Sequence, residues 1–285
     1  MNKGAVIKTF TIITPCFNAE AYIEETVRSV VLNRAIREKR AALDYIICDG
    51  GSTDSTLAKI DSILKTIDVN GRVKVFSEPD GGIYDALSKG LIKGSGDVYA
   101  YLNAGDYYSP YVFDIVLDLF KDESVKWLTG MNVKYNEQSH LVHVLVPFRY
   151  RRRLINTGFY GNMLPHIQQE STFWRADLNR LIDPDKLKKY QLAGDYYLWK
   201  SFSSQAELNI VEAWLGGFRH HRGQISANKV QYRKELKHIA ELPGFEDYII
   251  AALDYFCWHC LPPLLKKKLN PKMFYRFDHA RQMYV

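Results

Sequence analysis

The sequence predicts an α/β fold: a doubly wound domain with a mostly parallel central sheet, a small antiparallel addition and a helical C-terminal extension. Two observations carry this. Between residues 9 and 103, four apolar runs rich in β-branched and aromatic residues alternate with segments whose apolar residues recur at helical spacing. The connections between runs are long enough to hold a helix, which a parallel crossover needs and a hairpin does not. With 285 residues, 47% hydrophobic and 25% charged, the chain has an ordinary globular composition and material for a sizeable core.

TFTIITP, Thr9 to Pro15, reads as the first buried strand, and the segment after it sets Ile23, Val27, Val30 and Val31 on one helical face. LDYIICD, Leu43 to Asp49, is the second strand. GGS breaks it, and Thr53-Asp54-Ser55 can cap a helix carrying Leu57, Ile60, Ile63, Leu64 and Ile67. RVKVFSE is the third strand, Pro79 to Gly82 a turn, Ile83 to Lys93 a helix and Asp97 to Asn103 the fourth strand. Ser109-Pro110 then marks a helix start, VFDIVLDLF. KWLTGMNVKYN and HLVHVLVPF read as strands with no full helix between them, hence the antiparallel addition. FRYRRRLINTG is expected to be a basic loop, and residues 160 to 176 a polar functional loop leading into a short strand. GDYYLWKSF opens a helix, ELNIVEAWLGGF is one strand, and Ala227 to Leu242 forms a peripheral helix. The main domain is placed at residues 1 to 226 and the basic, aromatic-containing extension at 227 to 285.

No apolar run reaches the roughly 18 residues of a membrane span, and MNKGAVIKTFTIITP has no cleavable signal pattern, so a cytosolic protein is expected. The net charge of +6 resides in residues 219 to 285, with twelve Lys/Arg against six Asp/Glu; residues 1 to 218 carry 26 of each. A basic tail with Phe256, Trp258, Phe274 and Tyr275 fits peripheral contact with an anionic membrane face, although a solvated helix surface is the commoner meaning of such a run. Nothing in this distribution suggests nucleic acid. The cysteines are Cys16, Cys48 and the pair in CWHC, Cys257 and Cys260; with only His259 between that pair, half a zinc site is missing, and reduced thiols are the default.

Chemistry is suggested by acids at strand ends: Asp49 after the second strand, Glu78 and Asp80 after the third, Asp106 after the fourth. Ligands of open α/β sheets bind outside those ends. Four acids in one crevice are costly without a cation among them, and a divalent metal with a nucleotide diphosphate would satisfy them. Each acid alone is ordinary turn chemistry. GxGxxG after the first strand, GxxxxGK[ST] and GxSxG are all absent, so a nucleotide would be held by metal and side chains. Asp195 in LAGDYYLW reads either as an N-cap or as a general base walled from water by Tyr196 or Trp199. In FRHHRGQIS, His220 and His221 would point to opposite faces of a strand, with Arg219 and Arg222 as phosphate-binding forks.

Taken together, TIITPCFNAEAYIEETVRSV, YIICDGGSTDSTLAKI, SEPDGGIYDALSKGL, GDVYAYLNAGDYYSP, QQESTFWRADL, AGDYYLW and FRHHRGQIS resemble, in order and spacing, the inverting family 2 glycosyltransferases, particularly bacterial enzymes that assemble surface polysaccharides. The resemblance covers about residues 8 to 226. It implies a GT-A (Rossmann-like) fold and hexosyl transfer from a nucleotide-diphosphate sugar, with UDP as the expected nucleotide and Mn²⁺ or Mg²⁺ as cofactor, to a hydroxyl of a saccharide or lipid-linked saccharide. By position, Thr14, Pro15, Phe17 and Asn18 match the base-pocket stretch, and Asp49 and Asp80 match donor-site acids. Asn103, Ala104, Gly105 and Asp106 match the DXD-type region, with Asp106 on the metal-binding acid and Gly105 where many members carry a second acid. Asp195 matches the catalytic base, His221 a further metal or diphosphate contact, and His166, Gln169 and Glu170 the acceptor region. A nucleotidyltransferase and a non-catalytic nucleotide-sugar or glycan-binding protein are the competing readings; the first would need a glycine- and lysine-rich loop where TPCFNAE stands, and the second would take Gly105 as a sign of decay.

Overall fold

Strand β1 (Thr9–Cys16) and β2 (Ala42–Asp49) are buried along all but their first residues, as the near-continuous apolar runs require of strands covered on both faces. They belong to the computed structural model of the chain, which describes residues 7–221, 224 and 228–285. β2 pairs in parallel with β1 and with β3 (Gly71–Ser77), and β1 in parallel with β4 (Val98–Tyr101). The crossovers are α1 (Ile23–Val31), α3 (Thr56–Thr66) and α4 (Ile83–Lys93), with the short α2 (Arg34–Arg37) between α1 and β2. α1 buries the predicted Ile23, Val27, Val30 and Val31, and α3 buries Ile60 and Ile63. β3 has no fully buried residue and forms the sheet edge, so its Arg72 and Lys74 cost nothing there.

Past β4 come β5 (Tyr107–Tyr108), α5 (Val112–Leu119), β6 (Trp127–Thr129), β7 (Asn132–Tyr135), β8 (Leu141–Leu145), α6 (Arg152–Asn156) and β9 (Thr172–Arg175). The antiparallel strand of the main sheet is β9, inserted between β4 and β6 with Trp174 opposite both Tyr99 and Trp127. After α7 (Pro184–Leu187) and α8 (Gly194–Ser203), the expected single strand ELNIVEAWLGGF is instead two. β10 (Leu208–Val211) runs parallel to β6, whereas β11 (Gly216–Arg219) crosses to a second sheet ordered β5-β11-β7-β8. The corner at Glu212–Leu215 lets one apolar run serve two sheets.

FRYRRRLINTG is not an open loop, because it contains α6 and its cations have buried partners. Arg151 forks onto Asp254 at 2.7 and 2.9 Å, Arg153 pairs with Asp247, and Arg152 donates to the Ser203 carbonyl. Both acids sit on α10 (Phe245–Cys260), which follows α9 (Lys229–Ile239) and precedes α11 (Pro263–Leu269). The C-terminal stretch is helical as expected, and it also supplies β12 (Phe274–Tyr275), parallel to β10 at the edge of the eight-stranded sheet. Residues beyond 226 therefore share the core: Trp258 and Phe274 are fully buried.

Replacing Arg151 with Met would leave the buried Asp254 carboxylate without its fork. Urea unfolding should show a loss of about 3 kcal/mol; a loss below about 1 kcal/mol, the scale of an exposed pair, would mean that the ion pair does not hold the C-terminal helices.

Candidate active site

The LNAGD loop is built from backbone first. Leu102 N–H donates to Ile13 O at 2.8 Å and Ala104 N–H to Pro15 O at 3.2 Å, so the loop continues along the end of β1. Gly105 then adopts φ +114°, a region in which a Cβ is strained. A second carboxylate at this position would have to bear that strain, which gives Gly105 a conformational reason. Its N–H donates to Thr26 Oγ1 at 3.0 Å, and the same hydroxyl donates to Asp106 O at 2.7 Å, tying the loop to α1.

Asp106 is buried, and its Oδ1 accepts the Arg219 N–H at 2.9 Å from the end of β11. Burial pushes its carboxyl up to about 7 against the opposing effect of that bond and the Arg219 charge. Glu170, in the tight turn Gln169–Ser171, is raised well above the carboxylate range by burial and then by Asp106. β11 can lie over this turn only because residue 216 is glycine: a Cβ there would stand 2.1 Å from the Glu170 carbonyl oxygen. Asn103 Nδ2 donates to Gln169 Oε1 at 3.1 Å, Gln169 donates to Tyr101 O, and Asn103 Oδ1 is buried without a partner among the described residues. His221 Nε2 lies 3.9 Å from where a Cβ on Gly105 would sit.

Among the described residues no three His, Cys, Asp or Glu side chains converge as a complete metal cage. Two candidate ligands, Asp106 and His221, do flank one loop beside an orphaned acceptor, Asn103 Oδ1. That set fits a Mg²⁺ or Mn²⁺ ion whose remaining positions come from water and a bound diphosphate, the usual arrangement for an ion that is not fully caged by protein.

The expected convergence of four acids divides into two groups. Asp49, Glu78 and Asp80 line one pocket with Phe76, Lys89 and Lys93, whereas Asp106 faces Glu170 and β11. The strand order β4-β1-β2-β3 is the cause, since β1 stands between the strands that carry them. For Asp49, burial alone would raise the carboxyl, but bonds from Ser52 and Ser77 and the Gly51 N–H bring it below its ordinary value. Asp80 is raised, chiefly by burial. Phe17 is 61% exposed, and Asn18, at φ +45°, braces that turn by accepting Thr53 N–H at 3.0 Å. Thr14 faces inward, its hydroxyl 3.0 Å from Tyr45 Oη, and Pro15 contributes its carbonyl to the loop.

Asp195 does not cap α8, because the N-cap position is Ala193. Its Oδ1 accepts the Tyr196 N–H at 2.7 Å, and burial pushes the carboxyl up to about 7, partly offset by that bond and by Tyr84. Gly194 is needed for space, since a Cβ would meet the Tyr84 ring at 2.4 Å. Tyr101, the last residue of β4, feels both Asp195 and Glu170, which raise its hydroxyl after burial and Tyr84 have done so. Three of the four raised carboxyls are tied to this end of the sheet: Asp106 follows β4 directly, the neighbour of Glu170 donates to Tyr101 O, and Asp195 adjoins Tyr84, while the fourth, Asp80, lies in the other pocket. Tyr196 and Trp199 do not wall the site: Tyr196 Oη donates to Ile155 O at 2.6 Å and Trp199 stacks on Trp127 in the core.

A residue not singled out in the sequence organises this region. Glu235 on α9 accepts the N–H groups of Gln191, Leu192 and Ala193 at 3.2, 3.0 and 2.9 Å, and Gln191 Nε2 donates to Gly81 O at 3.1 Å. One carboxylate thus fixes the approach to Asp195, and Gln191 joins it to the Asp80 turn. His166 is exposed and packs edge-on against Tyr232, also of α9, while Gln169 and Glu170 are buried. β11 ends at Arg219, so His220 and His221 are not strand residues. Arg219 is buried against Glu25 and lies over the Tyr22 and Tyr107 rings, which removes it as a free phosphate fork. Arg222 lies outside the described residues.

Chondroitin synthase of Pasteurella multocida is 30% identical over 137 residues, 48% of this chain, and the chain spans 13% of that protein's length. WfgD of Escherichia coli, a UDP-Glc:alpha-D-GlcNAc-diphosphoundecaprenol beta-1,3-glucosyltransferase, is 25% identical over 232 residues, 80% of this chain and 82% of its own. Among solved structures, S. aureus TarS 1–349 with UDP-GlcNAc superposes with a TM-score of 0.58 at 16% identity, over 92% of this chain and 70% of that one. Glucosyl-3-phosphoglycerate synthase of Mycobacterium tuberculosis, bound to Mn²⁺, UDP and phosphoglyceric acid, gives 0.52 at 18% identity, over 84% and 80%. These likenesses show the GT-A fold. The Glycosyl transferase family 2 profile matches residues 11–182, well over half of the chain, from β1 through the Asp106 loop and Glu170, and the chain belongs to that family.

Proposed function

We propose that the chain moves a hexosyl group, with inversion, from a UDP-sugar to a hydroxyl of a saccharide or lipid-linked saccharide in surface polysaccharide assembly. The observation that carries this is the arrangement at the end of β4, where buried Asp106 and Glu170 are held by the Arg219 N–H and the close passage of β11, with His221 beside Gly105, while the Asp49–Asp80 pocket lies across β1. The relatives support the substrate classes: WfgD is named for a UDP-Glc donor and a diphosphoundecaprenol-linked acceptor, and TarS was solved with UDP-GlcNAc.

In this reading the base stacks on Phe17 beside Asp49, and Asp80 borders the donor. Asp106 and His221 would hold a Mn²⁺ or Mg²⁺ ion, which when bound offsets the charge on the departing diphosphate. Asp195 accepts the proton of the acceptor hydroxyl as its oxygen attacks the anomeric carbon. The bond from that carbon to the diphosphate oxygen breaks on the opposite face, so configuration inverts. His166, the exposed member of its group, borders the acceptor. Gly105 is accounted for by its backbone angle, which weakens the decay reading of a mere binding protein.

Release of UDP from a panel of UDP-sugars tests the reaction, and Asp195→Asn should lower turnover by about 10²- to 10⁴-fold with donor affinity little changed. With its carboxyl near 7, wild-type activity should rise with pH through that region, because only the ionised form accepts a proton. The same shift sets the stability sign: support that Asp195 lends below about pH 4 is lost as pH rises through about 7, so Asp195→Asn should not lower the unfolding midpoint at pH 8. Equal loss of binding and turnover, or a destabilised variant, would make Asp195 structural.

Glu235→Ala should lower kcat about 10- to 100-fold, with the acidic limb of the pH profile displaced and Glu235→Gln intermediate. Rate assays across pH check this; an unchanged limb with normal kcat would leave Glu235 as a packing residue only.

A further inference from the structure

Helix α10 is amphipathic in the reverse sense for a surface helix. Asp247 and Asp254 point inward to Arg153 and Arg151, and apart from the buried Trp258 most of the large apolar side chains point outward. Phe245 is 81% exposed, Leu253 64% and Phe256 60%, and with Ile249 they recur every three or four residues along one stripe. Tyr248 and Tyr255 are also exposed. The one exposed acid of the helix, Glu246, pairs with Arg153 at 3.0 Å.

The apolar surface extends beyond α10. Lys266 is buried, its ammonium donating to Trp258 O at 2.8 Å and Val146 O at 2.6 Å, and so gathers α11 and the end of β8 against the C-terminal end of α10. Leu264, Leu265 and Leu269 of α11 are exposed, as are Leu141, Val142 and Val144 of β8. Cations accompany this surface: Lys268 of α11 and Lys272 just after it are exposed and without an ion pair among the described residues.

We propose that this face docks on an anionic lipid bilayer, with α10 lying in the plane of the interface, its apolar stripe among the acyl chains and the cations at phosphate level. No helix among the described residues is long and apolar enough to cross a membrane, which favours lying in the interface over spanning. Charge complementarity selects the occupant. A second copy across a two-fold axis would set identical cations near one another, whereas an anionic headgroup layer pairs with them. The aromatic content of the stripe suits the same boundary. The surface differs from the one the basic tail suggested, since Trp258 and Phe274 are buried and Lys266 and Lys267 donate to backbone carbonyls. Docking does not depend on the transfer chemistry.

The test is co-sedimentation of the full chain with phosphatidylcholine vesicles and with phosphatidylcholine–phosphatidylglycerol vesicles. Wild type should bind the anionic vesicles, less at high salt, and Leu253→Asp/Phe256→Asp should weaken partitioning more than about tenfold with the circular dichroism spectrum retained. Lys268→Glu/Lys272→Glu should weaken it with a smaller salt dependence. Absence of wild-type binding to anionic vesicles overturns the proposal without touching the transfer reaction. So does equal binding by the aspartate variant, or a wild-type dimer that becomes monomeric in that variant while neither binds vesicles.

Discussion

A buried carboxylate with too little positive charge around it organises this protein. Asp106 is held by backbone: Thr26 fixes its carbonyl and its neighbour's N–H, and the Arg219 N–H takes one carboxylate oxygen. The turn that carries Glu170 lies close under β11 at Gly216, and Asp106 is near enough to raise its carboxyl. Burial raises the proton affinity of both acids and Asp106 raises that of Glu170 further, a conflict that a cation resolves more completely than a hydrogen bond can. The loop, the second sheet and the Gln169 turn all exist in their observed relation to keep that pair in position.

The second carboxyl system is separated from the first by β1, and the segment leading to Asp195 is joined to the second through Gln191 and Gly81. Asp49 is quietened by serine hydroxyls, as suits a group that recognises rather than reacts. Asp195 is left with its affinity for a proton near neutrality, as suits a base. Its approach is fixed by Glu235, so α9, beyond the family match at 11–182, is tied to the Asp195 segment through three backbone bonds. α10 and α11 serve a different end, turning acids inward to hold the helices and apolar groups outward.

Much of the first half was legible because β1, β2 and β4 are covered on both faces and their helices have one apolar stripe each. The LNAGD loop, within the family match, was legible as a motif. What escaped were features decided by tertiary pairing. The single run ELNIVEAWLGGF gives no local sign that it changes sheets at Glu212–Leu215. The arginines of FRYRRRLINTG look solvated until Asp247 and Asp254, nearly a hundred residues later, are placed beside them. Glu235 sits in a helix whose sparse apolar pattern suggests periphery, and only its three acceptor contacts disclose a role. The strand order likewise could not be read, and it is what divides the four acids.

The direct measurement is calorimetric titration of UDP into wild type and Asp106→Asn, with Mn²⁺ and with EDTA. If the Asp106 loop holds the metal that meets the diphosphate, Mn²⁺ should tighten UDP binding to wild type at least about tenfold and have little effect on the variant, while both retain the metal-free affinity set by the Asp49 pocket. The same Mn²⁺ enhancement in both proteins would contradict the account, because the cation would then be held elsewhere.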